Sequence, residues 1–179
     1  GDGDGRPPED PAQFFAPFGE FSLSEWRRQM SVTLDGMFIV ARAVGSKLIV
    51  QGRGGSIVQV SSIYGVVSSD ERIYEGAFYR GYQINNPVSY STAKAGVLGM
   101  TRWLSTNLSK YGIRVNTVAP GGVFSGENDE FTKRYGARVP LGRMAHRHEI
   151  VGGVLYLVSD ASTYVTGQCL VIDGGLSAW

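Results

Sequence analysis

The chain has 179 residues, of which 42% are hydrophobic and 18% are charged, and its formal net charge is +1. This composition is typical of one globular domain with its own core, and it excludes an intrinsically disordered chain. So small a net charge gives no reason to expect a nucleic-acid partner, and the longest apolar run is too short to cross a membrane. The single cysteine, Cys169, excludes an internal disulfide, and we expect a cytoplasmic protein.

The first eleven residues, "GDGDGRPPEDP", are mostly glycine, aspartate and proline, which favours a loop. They are polar and lack the apolar segment of a signal peptide. Their acidic start is similar to a calcium-binding loop, but Arg6 interrupts that motif and no glutamate follows at the required distance. Their glycines also lack the spacing of a dinucleotide-binding turn. We therefore assign no ligand to this stretch.

A long helix is predicted from Leu23 to Gln51, because apolar residues recur there at every third or fourth position. These residues are Leu23, Trp26, Met30, Leu34, Met37, Ala41, Val44 and Leu48. Ser22 followed by Glu25 predicts a capping box at the start of the helix, and Gly52 predicts its end. Gly36 lowers the helix propensity in the middle, which favours a close packing contact at that point.

Three short apolar segments, each preceded by a helix, are predicted as buried strands: "SIVQV", "IRVNTVAP" and "QCLVIDGG". Two further helices are predicted, one from Ser89 to Lys110 with Gly112 as its cap, the other over "EIVGGVLYLVSD". The stretches from Ile63 to Ser89 and from Gly121 to His148 are predicted as loops. Helices that alternate with buried strands indicate an α/β fold with a parallel sheet and right-handed crossovers.

Ligands of such sheets bind beyond the carboxyl ends of the strands. Those ends are predicted at Ser61-Ser62, Pro120-Gly121 and Asp173-Gly174. The helix that follows the first of them begins with "YSTAKAG", in which Tyr90 and Lys94 are one turn apart and share a face. A nearby ammonium lowers the pKa of a tyrosine, so this pair suits general acid/base catalysis. A hydroxyl of Ser62 could hold a substrate oxygen beside the tyrosine.

The Tyr-x-x-x-Lys pair alone also fits an ordinary amphipathic helix surface. The order of the motifs separates the two interpretations. "SIVQVSSIYG", "YSTAKAG", "IRVNTVAPGGV" and "YVTGQCLVIDGG" follow one another, and this series resembles the short-chain dehydrogenase/reductase family. The resemblance extends from about Phe15 to Trp179. It implies a partial Rossmann-like, three-layer α/β/α fold whose N-terminal strands are missing, with residues 1–179 forming the C-terminal portion of one domain.

The resemblance also implies roles for individual residues. Ser62 would position the substrate oxygen, Tyr90 would donate or accept the proton, and Lys94 would bind the nicotinamide ribose and lower the tyrosine pKa. The cofactor would be NAD or NADP, and the other residues expected to bind it are Pro120, Gly121, Val123 and Ser125. In relatives the two long helices form a contact with a second subunit, so we expect a homodimer or homotetramer, with Trp26, Gly36 and Trp103 as interface candidates.

Three departures from the family pattern stand out. Thr33 occupies the place of an asparagine that usually completes a proton relay, and its hydroxyl cannot offer the amide geometry. Residues 63–89 form an insertion between Ser62 and Tyr90, which is either a substrate wall or a decorated surface loop. Its candidate substrate contacts are Tyr74, Phe78, Tyr79 and Tyr82. The glycine-rich segment that binds the pyrophosphate, with the selector of NAD or NADP, is expected to be absent.

Two other groups are weaker candidates. His146, His148 and Glu149 lack further ligands at a useful spacing, so we expect no metal site. Cys169 lies in an apolar strand and is interpreted as a core residue.

We therefore expect an NAD(P)-dependent oxidoreductase that interconverts a secondary alcohol and a ketone, with a small molecule as its partner. The tyrosines and asparagines of the insertion point to a sugar-like, another polyhydroxylated, or a ring substrate. The alternative is a truncated, non-catalytic remnant that serves in binding or oligomerisation.

Overall fold

The computed structural model describes residues 10–179, so the first nine of the eleven residues predicted as a loop lie outside that range, and Pro11, predicted in the loop, begins a helix instead. A short helix opens the described part of the chain (α1, Pro11–Phe14). The Asp10 carboxylate accepts hydrogen bonds from the backbone N–H groups of Ala12 and Gln13, and Pro11 occupies the first helical position. Both features stabilise a helix start. Sequence periodicity missed this helix because it is only one turn long.

The predicted long helix is present in three parts: α2 (Leu23–Met30), a π-helical turn (Ser31–Asp35) and α3 (Gly36–Gln51). A π turn holds one residue more than an α turn, so it rotates the following residues about the helix axis. As a consequence, Ala41 and Gly45 are buried in α3, whereas Val44 of the predicted stripe is exposed. Gly52 ends α3 in the left-handed conformation, as predicted.

Two local predictions about this helix are wrong. The Ser22 hydroxyl does accept a hydrogen bond from the Glu25 N–H, but the Glu25 carboxylate binds Arg28 and Gln29 instead of completing a capping box. Gly36 has no close neighbour in the described chain, since a methyl group there would meet only the Ser31 carbonyl oxygen, at 3.9 Å. The glycine of α3 that does pack closely is Gly45, against Leu108.

The three predicted strands form one parallel sheet, in the order β1 (Gly55–Val60), β4 (Ile113–Pro120) and β5 (Cys169–Ile172). Strand β4 lies in the centre, and all its residues from Val115 to Ala119 are buried. A central parallel strand is covered on both faces, so even its polar residues Asn116 and Thr117 are buried, and both are hydrogen-bonded. The α/β class with a parallel sheet is confirmed.

Helices cover both faces of this sheet, which gives three layers. On one face Ile57, Ile113 and Val115 pack against the side chains of α3 and of the helix Val88–Leu108 (α4). On the other face Ser56 and Arg114 donate hydrogen bonds to the Leu157 carbonyl oxygen of α6 (Arg147–Val158). Odd and even positions of β1 and β4 thus face opposite layers, as the pleat of a strand requires.

Helix α4 (Val88–Leu108) carries the Tyr-x-x-x-Lys motif, and its small residues allow close contact with the end of β1. Ala93 is fully buried, and the Ser61 hydroxyl donates a hydrogen bond to the Lys94 carbonyl oxygen at 2.7 Å. Gly65, in the 3₁₀ turn Ile63–Gly65, lies directly on the backbone of Lys94. Neither α4 nor any other helix within residues 10–179 has the length and apolar character needed to span a membrane.

The two stretches predicted as loops contain regular structure. Residues 63–89 include a 3₁₀ turn (Glu71–Tyr74) and a small antiparallel hairpin, β2 (Phe78–Tyr79) with β3 (Tyr82–Gln83). The second stretch contains α5 (Asp129–Arg138), whose N-cap is Asn128. This helix is polar on most of its surface and carries few apolar residues, so hydrophobic periodicity did not indicate it.

Candidate active site

The two serines at the end of β1 have different surroundings. Ser61 binds the backbone of α4 through Lys94, as described above, and so fixes the helix to the sheet. The Ser62 hydroxyl accepts the Tyr64 N–H at 3.2 Å, and it lies close enough to the Tyr90 phenol to lower the pKa of that group. The structure therefore brings together Ser62 and Tyr90, as the sequence predicted, across the 28 positions that separate them.

The Tyr90 phenol is largely enclosed. Burial raises the pKa of Tyr90, because a phenolate would be poorly solvated there, and the nearby Ser62 hydroxyl opposes this shift only in part. This upward shift of the Tyr90 pKa is opposite to the downward shift that the sequence predicted from the neighbouring lysine. At neutral pH the residue is thus a neutral phenol with a proton to donate.

The Lys94 ammonium lies on the same side of α4 as Tyr90. Its Nζ is 5.6 Å from the centre of the Tyr90 ring and donates a hydrogen bond to the Val60 carbonyl oxygen at 3.2 Å. The ammonium therefore lies over the face of the Tyr90 ring. Burial lowers the pKa of Lys94.

Ser62 and Tyr90 open into a cavity of about 870 Å³ at the carboxyl end of the sheet. Gly121 and Val123, which follow β4, also line it. This is the edge of a parallel sheet at which ligands bind. A cavity of this volume is within the range of small-molecule sites.

The Gly121-Gly122 pair leaves no space for a side chain. A methyl group on Gly121 would lie 2.9 Å from the Asp173 Cα, and one on Gly122 would lie 2.6 Å from the Tyr135 ring. The Gly122 N–H donates a 2.5 Å hydrogen bond to the Tyr135 hydroxyl, which positions the turn after β4. This close approach explains why glycines are required there.

Three of the four insertion aromatics line the cavity: Tyr74, Phe78 and Tyr79. Tyr82, which pairs with Tyr79 across the hairpin, is outside its lining and half exposed. Among the described residues expected to bind the cofactor, Lys94, Pro120 and Ser125 also lie outside the lining of this cavity. The Ser125 hydroxyl instead donates a hydrogen bond to Glu127 at 2.6 Å.

Sequence reasoning missed several residues of the cavity wall: Phe14, Phe15, Tyr64, Glu127 and Tyr135. Phe14 and Phe15 belong to α1, which the insertion contacts through a hydrogen bond from the Asn85 amide to the Phe15 carbonyl oxygen at 2.9 Å. The "DP" pair before "AQFF" signals a capped helix start, but no sequence pattern indicates that this helix meets the insertion 70 residues later.

The two histidines lie at the start of α6, with His146 at its N-cap and His148 in its first turn. The rings of His146 and His148 stack with centroids 5.7 Å apart, and Arg143 binds the Glu149 carboxylate through two nitrogens at 2.7 Å. The Arg143 contact holds the pKa of Glu149 at about 2. Within residues 10–179, no three His, Cys, Asp or Glu side chains are grouped so that they could hold a metal ion.

Comparisons with known proteins agree with this arrangement. A family model described as enoyl-(acyl carrier protein) reductase matches residues 10–177. The chain is 32% identical to the L-rhamnose-1-dehydrogenase of Scheffersomyces stipitis over 90% of its own length and 59% of the relative's. It is 36% identical to the trans-4-hydroxycyclohexanecarboxylate dehydrogenase of Sinomonas cyclohexanicum, covering 87% of this chain and 53% of the relative.

A solved structure of a short-chain dehydrogenase from Leptospira borgpetersenii, with bound NAD+, superimposes with a TM-score of 0.82 and 38% identity. The match covers 91% of this chain and 60% of that one. The chain thus spans somewhat more than half the length of the relatives that it matches. The matched family model, these identities and the shared fold show that the chain belongs to the short-chain dehydrogenase/reductase family.

Proposed function

We propose that the protein is an NAD(P)-dependent oxidoreductase that interconverts a secondary alcohol and a ketone. The observation that carries this proposal is that Ser62 and Tyr90 lie beside each other in the lining of one cavity of about 870 Å³. Two hydroxyls held together can both bind one carbonyl oxygen. The names of the relatives, which are dehydrogenases of a sugar and of a ring alcohol, support the same reaction class.

In the reduction direction, Ser62 holds the ketone oxygen and the neutral Tyr90 phenol donates a proton to it as negative charge develops. The raised pKa of Tyr90 keeps that proton in place until the substrate is bound. In the oxidation direction the same oxygen accepts the proton of the alcohol. Lys94 supports the charged form of the tyrosine once a phenolate forms, since its ammonium lies over the ring.

The residues present fit a nicotinamide cofactor. An ammonium has three donors, and within the described chain Lys94 uses one of them on the Val60 carbonyl oxygen, so two remain for the hydroxyls of a ribose. Pro120, Gly121, Val123 and Ser125 would contact the nicotinamide end. When bound, the nicotinamide supplies or accepts the hydride, which no side chain can do.

The proposed substrate is sugar-like, another polyhydroxylated molecule, or a ring alcohol. We propose that residues 63–89 act as an insertion that forms one wall of its site, since Tyr74, Phe78 and Tyr79 line the cavity. The alternative, a non-catalytic remnant, gives no reason for a buried serine, a tyrosine and a lysine to be arranged beside a cavity. We also propose a homo-oligomer formed through α3 and α4, whose outer faces expose Phe38, Ile39 and Trp103.

The test is Tyr90→Phe in the complete protein, measured as NAD(P)H oxidation with a panel of cyclic and open-chain ketones. Turnover should fall by at least about 10²-fold, the usual loss when a general acid is removed, whereas cofactor binding should be retained. Tyr111→Phe, at an exposed tyrosine beyond α4, is the matched control and should keep full turnover. Equal rates for the two variants would refute the role of Tyr90.

A further inference from the structure

The cavity wall contains a first aromatic cluster, which joins α1 to the insertion. The Phe14 and Phe15 rings meet edge to face with centroids 4.8 Å apart, and the Phe15 ring is 6.3 Å from that of Tyr79. The hydrogen bond from Asn85 to the Phe15 carbonyl oxygen holds the two segments together. All three rings therefore line the cavity as one surface.

A second aromatic cluster lines the cavity from the 3₁₀ turn and α5. The ring centroids of Tyr74 and Phe131 are 5.6 Å apart, and those of Phe131 and Tyr135 are 6.1 Å apart. The Tyr74 phenol lies beside Tyr64, and the Tyr135 hydroxyl accepts the Gly122 N–H while keeping its own proton to donate. Most of what the cluster offers a ligand is ring surface, which suits the C–H face of a saturated ring.

The asparagines of the wall are engaged with the protein in part: within the described chain the buried Asn85 carbonyl oxygen has no partner and could accept one substrate hydroxyl, whereas other groups are bonded. The Asn86 amide donates hydrogen bonds to Ser69 and Ser91, and the Asn128 carbonyl oxygen caps α5 at the Phe131 N–H. The Asn85 amide donates to Phe15, as above. An open-chain polyol would bring many hydroxyls into the cavity, and hydroxyls that lose water without gaining a partner weaken binding.

The charge of the wall is negative. Among the described residues that line the cavity, none is a lysine, arginine or histidine, and Glu127 is the one carboxylate. Burial by itself would raise the pKa of Glu127, but the hydrogen bonds from the Ser125 hydroxyl and backbone outweigh it and lower that pKa, so the group is ionised at neutral pH. The nearby Arg134 and Arg138 bind Glu130 and Asp70.

We propose that this cavity selects an uncharged substrate built on a saturated ring, and that Glu127 discriminates against analogues that carry a carboxylate. A carboxylate in the cavity would meet aromatic rings and a like charge, and the described residues of the wall include no cation to pair with it. This inference rests on the proposed function for the position of the substrate carbonyl, whereas the preference for a neutral ring follows from the residues that line the cavity. It narrows the substrate from polyhydroxylated molecules in general to neutral rings, such as pyranoses or cyclic alcohols.

The first experiment compares two ligands of equal shape, 4-oxocyclohexanecarboxamide and 4-oxocyclohexanecarboxylate. Their dissociation constants are measured by calorimetry at pH 7.5 on the complete protein carrying Tyr90→Phe, which slows reduction of the ketones, and saturated with reduced cofactor, whose nicotinamide ring is uncharged. The amide should bind at least about tenfold more tightly, because the unpaired carboxylate loses its hydration without compensation. Glu127→Gln should reduce this ratio severalfold. Glu130→Gln, which removes an exposed carboxylate of α5 outside the cavity lining, should leave the ratio as it is.

The second experiment tests the ring preference with the open-chain 5-oxohexanamide. Tyr79→Ala should weaken binding of the cyclic amide by several-fold and that of the open-chain amide much less, because only the ring stacks on the aromatic cluster. Tyr82→Ala removes the partner of Tyr79 across the hairpin, outside the cavity lining, and should change neither affinity.

Equal or tighter binding of the carboxylate overturns the proposal, and so does failure of both cyclic ligands to bind. The outcome that refutes this selectivity differs from the outcome that refutes the proposed oxidoreductase function. If the amide binds selectively but the wild-type protein transfers no hydride, the selectivity stands and the oxidoreductase proposal fails. If both cyclic ketones are reduced and bound equally well, the oxidoreductase proposal stands and this one fails.

Discussion

Gly65 is the residue at which a single methyl group should disturb the site most directly. A Cβ atom there would lie 2.7 Å from the carbonyl carbon of Lys94, 2.8 Å from its oxygen and 2.7 Å from the Ser61 hydroxyl. Two of these three atoms are backbone of α4, so no side-chain rotation relieves the overlap. Gly65→Ala must therefore push α4 away from the end of β1, and Tyr90 moves with the helix away from Ser62.

The expected magnitudes follow from this geometry. Overpacking of a rigid contact costs about 1–3 kcal/mol in the free energy of unfolding. Stretching the hydrogen bond from Ser61 to the Lys94 carbonyl oxygen adds up to about 1 kcal/mol. A displacement of about 1 Å between catalytic groups lowers turnover by roughly 10²-fold. Stability and turnover should thus fall together in this variant.

The assay is urea denaturation together with ketone-dependent NAD(P)H oxidation, with Gly152→Ala as the control. Gly152 is inside α6, and beyond the helix backbone itself no described residue comes within 4 Å of a methyl group placed there, so its replacement should stabilise the helix by about 0.5–1 kcal/mol. If Gly65→Ala were as stable and as active as Gly152→Ala, the proposed coupling of Gly65 packing to site geometry would be wrong.

Two further predictions concern pH and assembly. Burial raises the pKa of Tyr135 to about 12, so the folded state should lose stability as the pH rises from about 10, where an exposed tyrosine ionises, through about 12. Tyr135→Phe should lose about 1 kcal/mol of unfolding free energy at pH 8, because the Gly122 N–H loses its acceptor. Between pH 8 and 10.5, however, the urea midpoint of this variant should fall less than that of the wild type. If the two midpoints fell in parallel, the assignment of this pH dependence to Tyr135 would be wrong. The exposed apolar residues of α3 and α4 should make the protein at least a dimer by light scattering, and Ile39→Glu should shift it towards the monomer; a wild-type monomer at micromolar concentration would disprove the proposed interface.

The sequence alone determined the features that depend on local geometry. β-Branched runs predicted β1, β4 and β5, because buried parallel strands need apolar side chains on both faces. Gly52 and Gly112 marked helix ends, where the left-handed conformation favours glycine. The four-residue spacing of Tyr90 and Lys94 placed both on one face of α4, since a helix turns once in 3.6 residues.

Only the tertiary structure decided which distant segments meet. The contact of α1 with the insertion, the position of Glu127 in the cavity wall and the closeness of Ser62 to Tyr90 all join residues that share no local pattern. The direction of the Tyr90 pKa shift was likewise decided by the tertiary structure. The Tyr-x-x-x-Lys spacing favours a lower pKa, but burial of the phenol by the assembled fold is the larger effect and raises it, because desolvation depends on every segment that excludes water from the site.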